Sequence, residues 1–215
     1  MIEKLYVDAE ASKAVFRARL ADLSPQELEA WRGNTLDYRA LYAKAKDIHL
    51  AVSRRTATLL YILARTRGAR SIVEFGTSFG ISTLHLGAAL RDNGGGRLIG
   101  TEFEPGKVAA ARASIAEAHL SDIVEIREGD AVETLARDLP DSIDLVFLDG
   151  AGSLYLKIAR LLEPRLDAGS LLVADNAHGA PDYLDHVRSS GRFMSLDLDK
   201  DVEISVATHS MAEVL

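Results

Sequence analysis

Ser71-Ile72-Val73-Glu74-Phe75-Gly76-Thr77-Ser78-Phe79-Gly80-Ile81-Ser82-Thr83 is the stretch on which the fold turns. An apolar run too short for a helix stops at one glycine, and a second glycine precedes a helical pattern. That is a buried strand, a tight turn and a helix start. Working outward, short apolar runs recur at 97–101, 124–127, 143–148 and 170–174. Helical stretches open between them near Ile81, Pro105, Val132, Leu154 and Pro181. Continuous apolar strands alternating with helices predict a parallel sheet covered on both faces, and right-handed crossovers make it doubly wound. At the end, Phe193–Leu198 and 202–208 alternate apolar and polar residues with no helix between them. They predict an antiparallel hairpin at the sheet edge, turning at Lys200-Asp201.

Upstream of Ala69 the chain reads as helical. Ser24-Pro25-Gln26-Glu27 is a capping box that opens a helix carrying Leu28 and Trp31. A further helical stretch is expected over 41–50, and another from Ser53 to a stop at Gly68. We therefore divide the chain into a helical cap or interface segment, 1–50, and an α/β domain, 51–215. The apolar residues Leu5, Tyr6, Val15, Phe16 and Leu20 suggest a homodimer interface within 1–50.

The 215 residues suit one such domain with a small appendage, and 47% hydrophobic with 27% charged residues is ordinary globular composition. No apolar run is long enough for a membrane span, and the first residues lack the pattern of a signal peptide. The chain has no cysteine, which excludes disulfides and thiolate metal sites and fits a cytoplasmic location. A formal net charge of -7 argues against nucleic acid as partner.

Ligands of such sheets bind outside the carboxyl ends of the strands. Gly76 and Gly80 allow the backbone to turn and approach a ligand, and the helix start after Gly80 offers free N–H groups to a carboxylate. The spacing is not Gly-x-Gly-x-x-Gly, nor a phosphate loop with Gly-Lys-Ser/Thr, which counts against a dinucleotide or a nucleoside triphosphate. Glu102, ending the second strand, can accept from vicinal ribose hydroxyls. After the third strand come Gly129-Asp130-Ala131: Asp130 can accept from an exocyclic amine while the Ala131 N–H donates to a ring nitrogen. Asp130 can equally serve as an N-cap, and the roles coexist. Together these residues describe a pocket for a nucleoside with a small charged tail.

The residues 71–90, SIVEFGTSFGISTLHLGAAL, together with GDAVETL and YLKIARLLEPRLDAGSLLVADN, resemble the catechol / caffeoyl-CoA O-methyltransferase family of class I S-adenosylmethionine-dependent enzymes. The resemblance runs from about Val52 to the end. It implies a Rossmann-like methyltransferase fold and transfer of a methyl group to a hydroxyl of a small phenolic or catechol-like acceptor. It places Glu74, Gly76 and Ser82 at the methionine moiety, with Val52 making a backbone contact there. Thr77, Ser78 and Asp149 join the cofactor-facing set, Glu102 takes the ribose, and Asp130 with Ala131 takes the adenine. Ala57 stands where the family usually has glycine, and Ser78 where it is often bulkier.

The resemblance also implies a Mg²⁺-like divalent cation held by Asp149, Asp175 and Asn176, an oxygen donor set that suits a hard ion. One departure stands out. Three residues beyond Asp149, where the family carries a catalytic lysine, this chain has Gly152. With Asp149, His178 is the nearest expected catalytic group, because an imidazole titrates near neutrality. Other readings are a same-fold enzyme acting on nitrogen, carbon or an RNA base, and a catalytically weak methyltransferase-like partner protein. A nicotinamide oxidoreductase is disfavoured by the glycine spacing.

Overall fold

The computed structural model describes residues 1–26, 45–198 and 201–209. Seven strands form one sheet in the order β3-β2-β1-β4-β5-β7-β6. They are β1 (Ser71–Phe75), β2 (Arg97–Glu102), β3 (Val124–Glu128), β4 (Leu145–Leu148), β5 (Leu171–Ala174), β6 (Phe193–Leu198) and β7 (Val202–Ala207). The first five run parallel, and β7 pairs antiparallel with both β5 and β6. The expected doubly wound sheet with an antiparallel edge pair is present. The order in which strands are added to the sheet reverses between β1 and β4, so the ends of those two strands open a crevice.

The helices are α1 (Ile2–Ala21), α2 (Arg54–Arg67), α3 (Ile81–Asp92), α4 (Pro105–Glu117), α5 (Ala131–Thr134), α6 (Tyr155–Leu162) and α7 (Pro181–Ser189). Their starts follow local chemistry. Ser53 caps α2 by accepting from Thr56 N at 3.0 Å. Glu104 caps α4 ahead of Pro105. Gly68 ends α2 in the left-handed conformation at φ 66°. The sheet separates two apolar layers. One gathers Leu60, Ile72, Leu90 and Phe147 under α2 and α3. The other gathers Val73, Leu148, Tyr155 and Tyr183 under α6 and α7.

Two expectations change. Residues 45–50, expected at the end of a helix, form turns that bring Leu50 to the crevice. Leu5 and Tyr6 pack on the core of their own chain, while Val7 and Val15 stay exposed. The capping box reaches into 27–44, so Leu28 and Trp31 lie outside the described residues, as does Lys200 of the hairpin turn. Among the described residues no helix is long and apolar enough to cross a membrane.

Candidate active site

The strand ends of β1, β2 and β4 surround a cleft that opens to solvent. Phe75, Gly76, Glu102, Asp130, Ala131 and Asp149 line it. A smaller lobe of about 250 Å³ continues from it under the loop before α2, lined by His49, Val52, Thr77, Phe79 and Ser82. Leu50, Gly76, Ser78 and Asp149 border both lobes.

Glu74, one residue before the end of β1, has a wholly buried carboxylate that lines neither lobe. Its Oε2 accepts from Thr77 Oγ1 at 3.0 Å and from Thr83 Oγ1. Its Oε1 has no hydrogen-bond partner among the described residues. Burial pushes this carboxyl up, against the pull of the Ser82, Thr83 and Thr77 hydroxyls; the Glu102 charge adds to the rise. Thr77 thus braces Glu74 as well as lining the smaller lobe. Gly76 is required by geometry: its φ is +100°, and a Cβ there would lie 2.3 Å from the Asp149 carbonyl oxygen. Close approach of the β1 turn to the end of β4 leaves a backbone-walled slot that no other residue allows.

Glu102 is fixed by backbone donors before any ligand arrives. Its Oε2 accepts from Ser78 N at 3.0 Å, and Oε1 accepts from Phe103 N at 2.9 Å and Glu104 N at 3.0 Å. Asp130 caps α5, accepting from Val132 N at 2.8 Å, while bordering the cavity. The N-cap and the cavity-facing role coexist, as the sequence allowed. Val52 and Ser82 meet across the smaller lobe.

Sequence reasoning missed two neighbours. Lys107, in the first turn of α4, is 3% exposed and lines the larger lobe. Burial pushes its ammonium pKa down, while Glu102, Glu104 and Asp47 oppose that shift. Its Nζ lies 5.7 Å from the centre of the Phe79 ring. The His49 ring stacks on Phe79 with centroids 3.6 Å apart and planes 4° from parallel. A lone helix lysine and a lone histidine carried no spacing signal.

The acidic pair follows from strand register. Leu148 pairs with Ala174, so Asp149 and Asp175 leave adjacent strands side by side. Asp175 N donates to Leu148 O at 2.9 Å, and the Tyr155 hydroxyl donates to Asp175 O at 2.8 Å. The Asp149 carboxyl is raised well above the usual range, first by burial and then by the charges of Asp175, Glu74 and Asp201. Asp175 is pushed up to about 6 by burial and by Asp201, with the Asn176 backbone pulling the other way. Asp201 is a third missed residue. The β5–β7 register sets Ala174 opposite Glu203, which carries Asp201 back toward Asn176, and Ala177 N donates to Asp201 O at 3.2 Å.

Asn176 is exposed in a left-handed conformation, φ 51°, beside this pair. Among the described residues no group of three or more His, Cys, Asp or Glu side chains is close enough to hold a metal. The half-buried Asp149 and the buried Asp175 are carboxylates that repel each other, with the Asn176 amide alongside, and this donor chemistry fits a hard cation. Gly152 opens the turn before α6, and Lys157 is exposed on that helix. His178 borders neither lobe. It is exposed, with Nε2 3.8 Å from Asp197 Oδ2 on β6.

Residues 73–177 match a family model described as a methyltransferase domain. The chain is 35% identical over 144 residues to catechol O-methyltransferase B of Danio rerio, covering 63% of this chain and 54% of that one. It is 30% identical over 168 residues to catechol O-methyltransferase of Sus scrofa, covering 74% of this chain and 89% of that one. Among solved structures, the O-methyltransferase TomG of Streptomyces achromogenes in complex with SAM superposes with a TM-score of 0.66 at 25% identity, covering 82% of this chain and 89% of that one. Against several of the curated relatives that it matches, the chain spans 54% to 66% of their length.

Proposed function

Because the chain belongs to the catechol O-methyltransferase family of S-adenosylmethionine-dependent methyltransferases, we propose that it moves the methyl group of S-adenosylmethionine to a hydroxyl of a small catechol-like acceptor, assisted by Mg²⁺ or a similar cation. One observation carries this reading. Asp149 borders both lobes of the cleft and also belongs to the repelling carboxylate pair. A ligand in the cavity therefore ends where an acceptor beside the pair begins.

The residues divide the work. The larger lobe takes the adenosine: Glu102, held rigid by three backbone N–H groups, accepts from the ribose hydroxyls, and Asp130 and Ala131 address the base. The smaller lobe takes the amino-acid end. There Ser82 and the Val52 backbone face the carboxylate, and Glu74, buried and braced by Thr77 of this lobe, is the proposed acceptor for the ammonium. Asp149, Asp175 and Asn176 would hold the cation. When bound, the cofactor supplies a methyl activated by its sulfonium, and the cation supplies the charge that acidifies a hydroxyl. The protein's own contribution is to set nucleophile and methyl in line. His178 stands beside Asn176 as the available proton acceptor in place of the family's lysine. The same reading includes a cytoplasmic enzyme that forms a homodimer through α1, where Val7 and Val15 are exposed; a monomer mass by light scattering overturns the dimer.

The test is an acceptor panel of catechols, monophenols and amines assayed with S-adenosylmethionine and Mg²⁺. Vicinal diols alone should be methylated at appreciable rate. Equal rates on monophenols, or preference for amines, would overturn the acceptor class.

A further inference from the structure

Buried polar groups in folded proteins are almost always hydrogen-bonded, so those that are not point to something that binds. Among the described residues, two such atoms belong to side chains that line the smaller lobe, Ser78 Oγ and His49 Nδ1. Both can offer donors. A ligand that satisfies them carries an anionic acceptor.

The placement of His49 is specific. Its ring lies flat on Phe79, which leaves only its edges for polar contact. The Nδ1 edge is sealed from solvent, whereas the ring as a whole is only half-buried. The loop that carries it also carries Leu50 and Val52 over the lobe. The charged groups that face it are Asp8 from α1 and Lys107 from α4. Burial pushes its pKa below the ordinary 6.5, Lys107 lowers it further, and Asp8 opposes them. Without ligand the imidazole is therefore neutral at pH 7.

We propose that His49 is a positioning residue for the amino-acid end of the cofactor, donating its Nδ1–H to the ligand carboxylate and taking up one proton from solvent as that carboxylate arrives. The proposal rests on the cofactor reading above and adds to it a proton linkage. A carboxylate partner raises the imidazole pKa, so the liganded form holds a proton that the free form lacks. Affinity then rises as pH falls from 8 toward 6, by at most about tenfold per pH unit for one linked proton. Burial also raises the Glu74 carboxyl, and any proton it exchanges on binding is common to the wild type and the His49 variants, so the comparison of variants isolates His49.

The experiment is calorimetric titration with S-adenosylhomocysteine from pH 6 to 8, in buffers of different ionisation enthalpy. 5′-Methylthioadenosine, which lacks the amino-acid end, serves as the second probe. With the first probe the wild type should take up about one proton more than His49→Gln, and with the second the two should match. His49→Gln should bind S-adenosylhomocysteine about tenfold more weakly at pH 6, with the gap closing by pH 8, and bind methylthioadenosine like the wild type. The gap corresponds to one charge-assisted hydrogen bond. His49→Phe, which preserves the stack, should show the same loss. If His49→Gln does not fold, His49→Phe or His49→Asn carries the comparison. Identical pH profiles, or equal proton uptake with S-adenosylhomocysteine, for the wild type and the folded variant would overturn the proposal. A wild type that binds methylthioadenosine but not S-adenosylhomocysteine would overturn it too. Binding neither probe would instead overturn the cofactor reading beneath it.

Discussion

Replacing Asp175 by asparagine should make the cation-free protein more stable while disabling it. Asp175 is 6% exposed, and its carboxyl is pushed from 3.8 to about 6. A shift of roughly two units corresponds to about 3 kcal/mol between the two protonation states. The folded pKa exceeds the unfolded one, so the folded chain binds the extra proton. The associated stability is fully present below about pH 4 and is lost as pH rises through 6. At pH 8 the ionised, cation-free carboxylate thus costs the fold up to about 3 kcal/mol. Asp175→Asn removes that cost at pH 8 and changes little at pH 4. For a chain of this size, about 2–4 °C per kcal/mol gives a rise in Tm of up to roughly 6–12 °C. Scanning calorimetry at both pH values in chelator is the assay. Adding Mg²⁺ should stabilise the wild type and leave the variant unmoved, because ligand binding to the folded state adds stability. A variant that is less stable than wild type at pH 8 in chelator, or equally shifted at both pH values, would refute the reasoning that burial and charge repulsion strain this pair.

Three further outcomes follow from the site. Glu102→Ala should weaken S-adenosylhomocysteine binding by about 1.5–3 kcal/mol in calorimetry, the worth of charge-assisted hydrogen bonds. Gly76→Ala forces a Cβ to 2.3 Å from the Asp149 carbonyl at φ +100°; backbone strain and overpacking together should cost about 2–4 kcal/mol in urea unfolding. His178→Ala should lower kcat by no more than about 10²-fold, the low end for a general base, since the imidazole borders neither lobe; a larger loss would place it at the reacting atoms.

The parallel strands were legible because burial on both faces makes them continuous apolar runs, and Ile72–Phe75 needed no alternation to be read. Boundaries were less so: Ile143 and Ser170 belong to the apolar runs, but the ladder begins at Leu145 and Leu171. Ile143 N donates to Arg165 O outside the sheet. Gly76, Glu102 and Asp130 could be placed around the crevice because each follows or ends a strand, and Ser82 because it opens the helix after the first turn, positions set by local pattern. Asp201 was not, because its place beside Asn176 depends on an antiparallel register between strands distant in sequence. Lys107 reads as an ordinary surface lysine until the sheet packs beneath α4. His49 becomes meaningful only when residues 45–50 abandon the helix and fold over the turn at Phe79.

Central to the account is that one cavity presents a methyl donor to a hydroxyl held beside Asp149 and Asp175. The most direct measurement is a single-turnover reaction with S-adenosylmethionine carrying a trideuterated methyl group and a simple catechol, read by mass spectrometry. With Mg²⁺ present, the deuterated methyl should appear on one catechol oxygen, and chelator should abolish its appearance. Label that stays on the cofactor under both conditions, or that transfers equally well in chelator, would contradict the account.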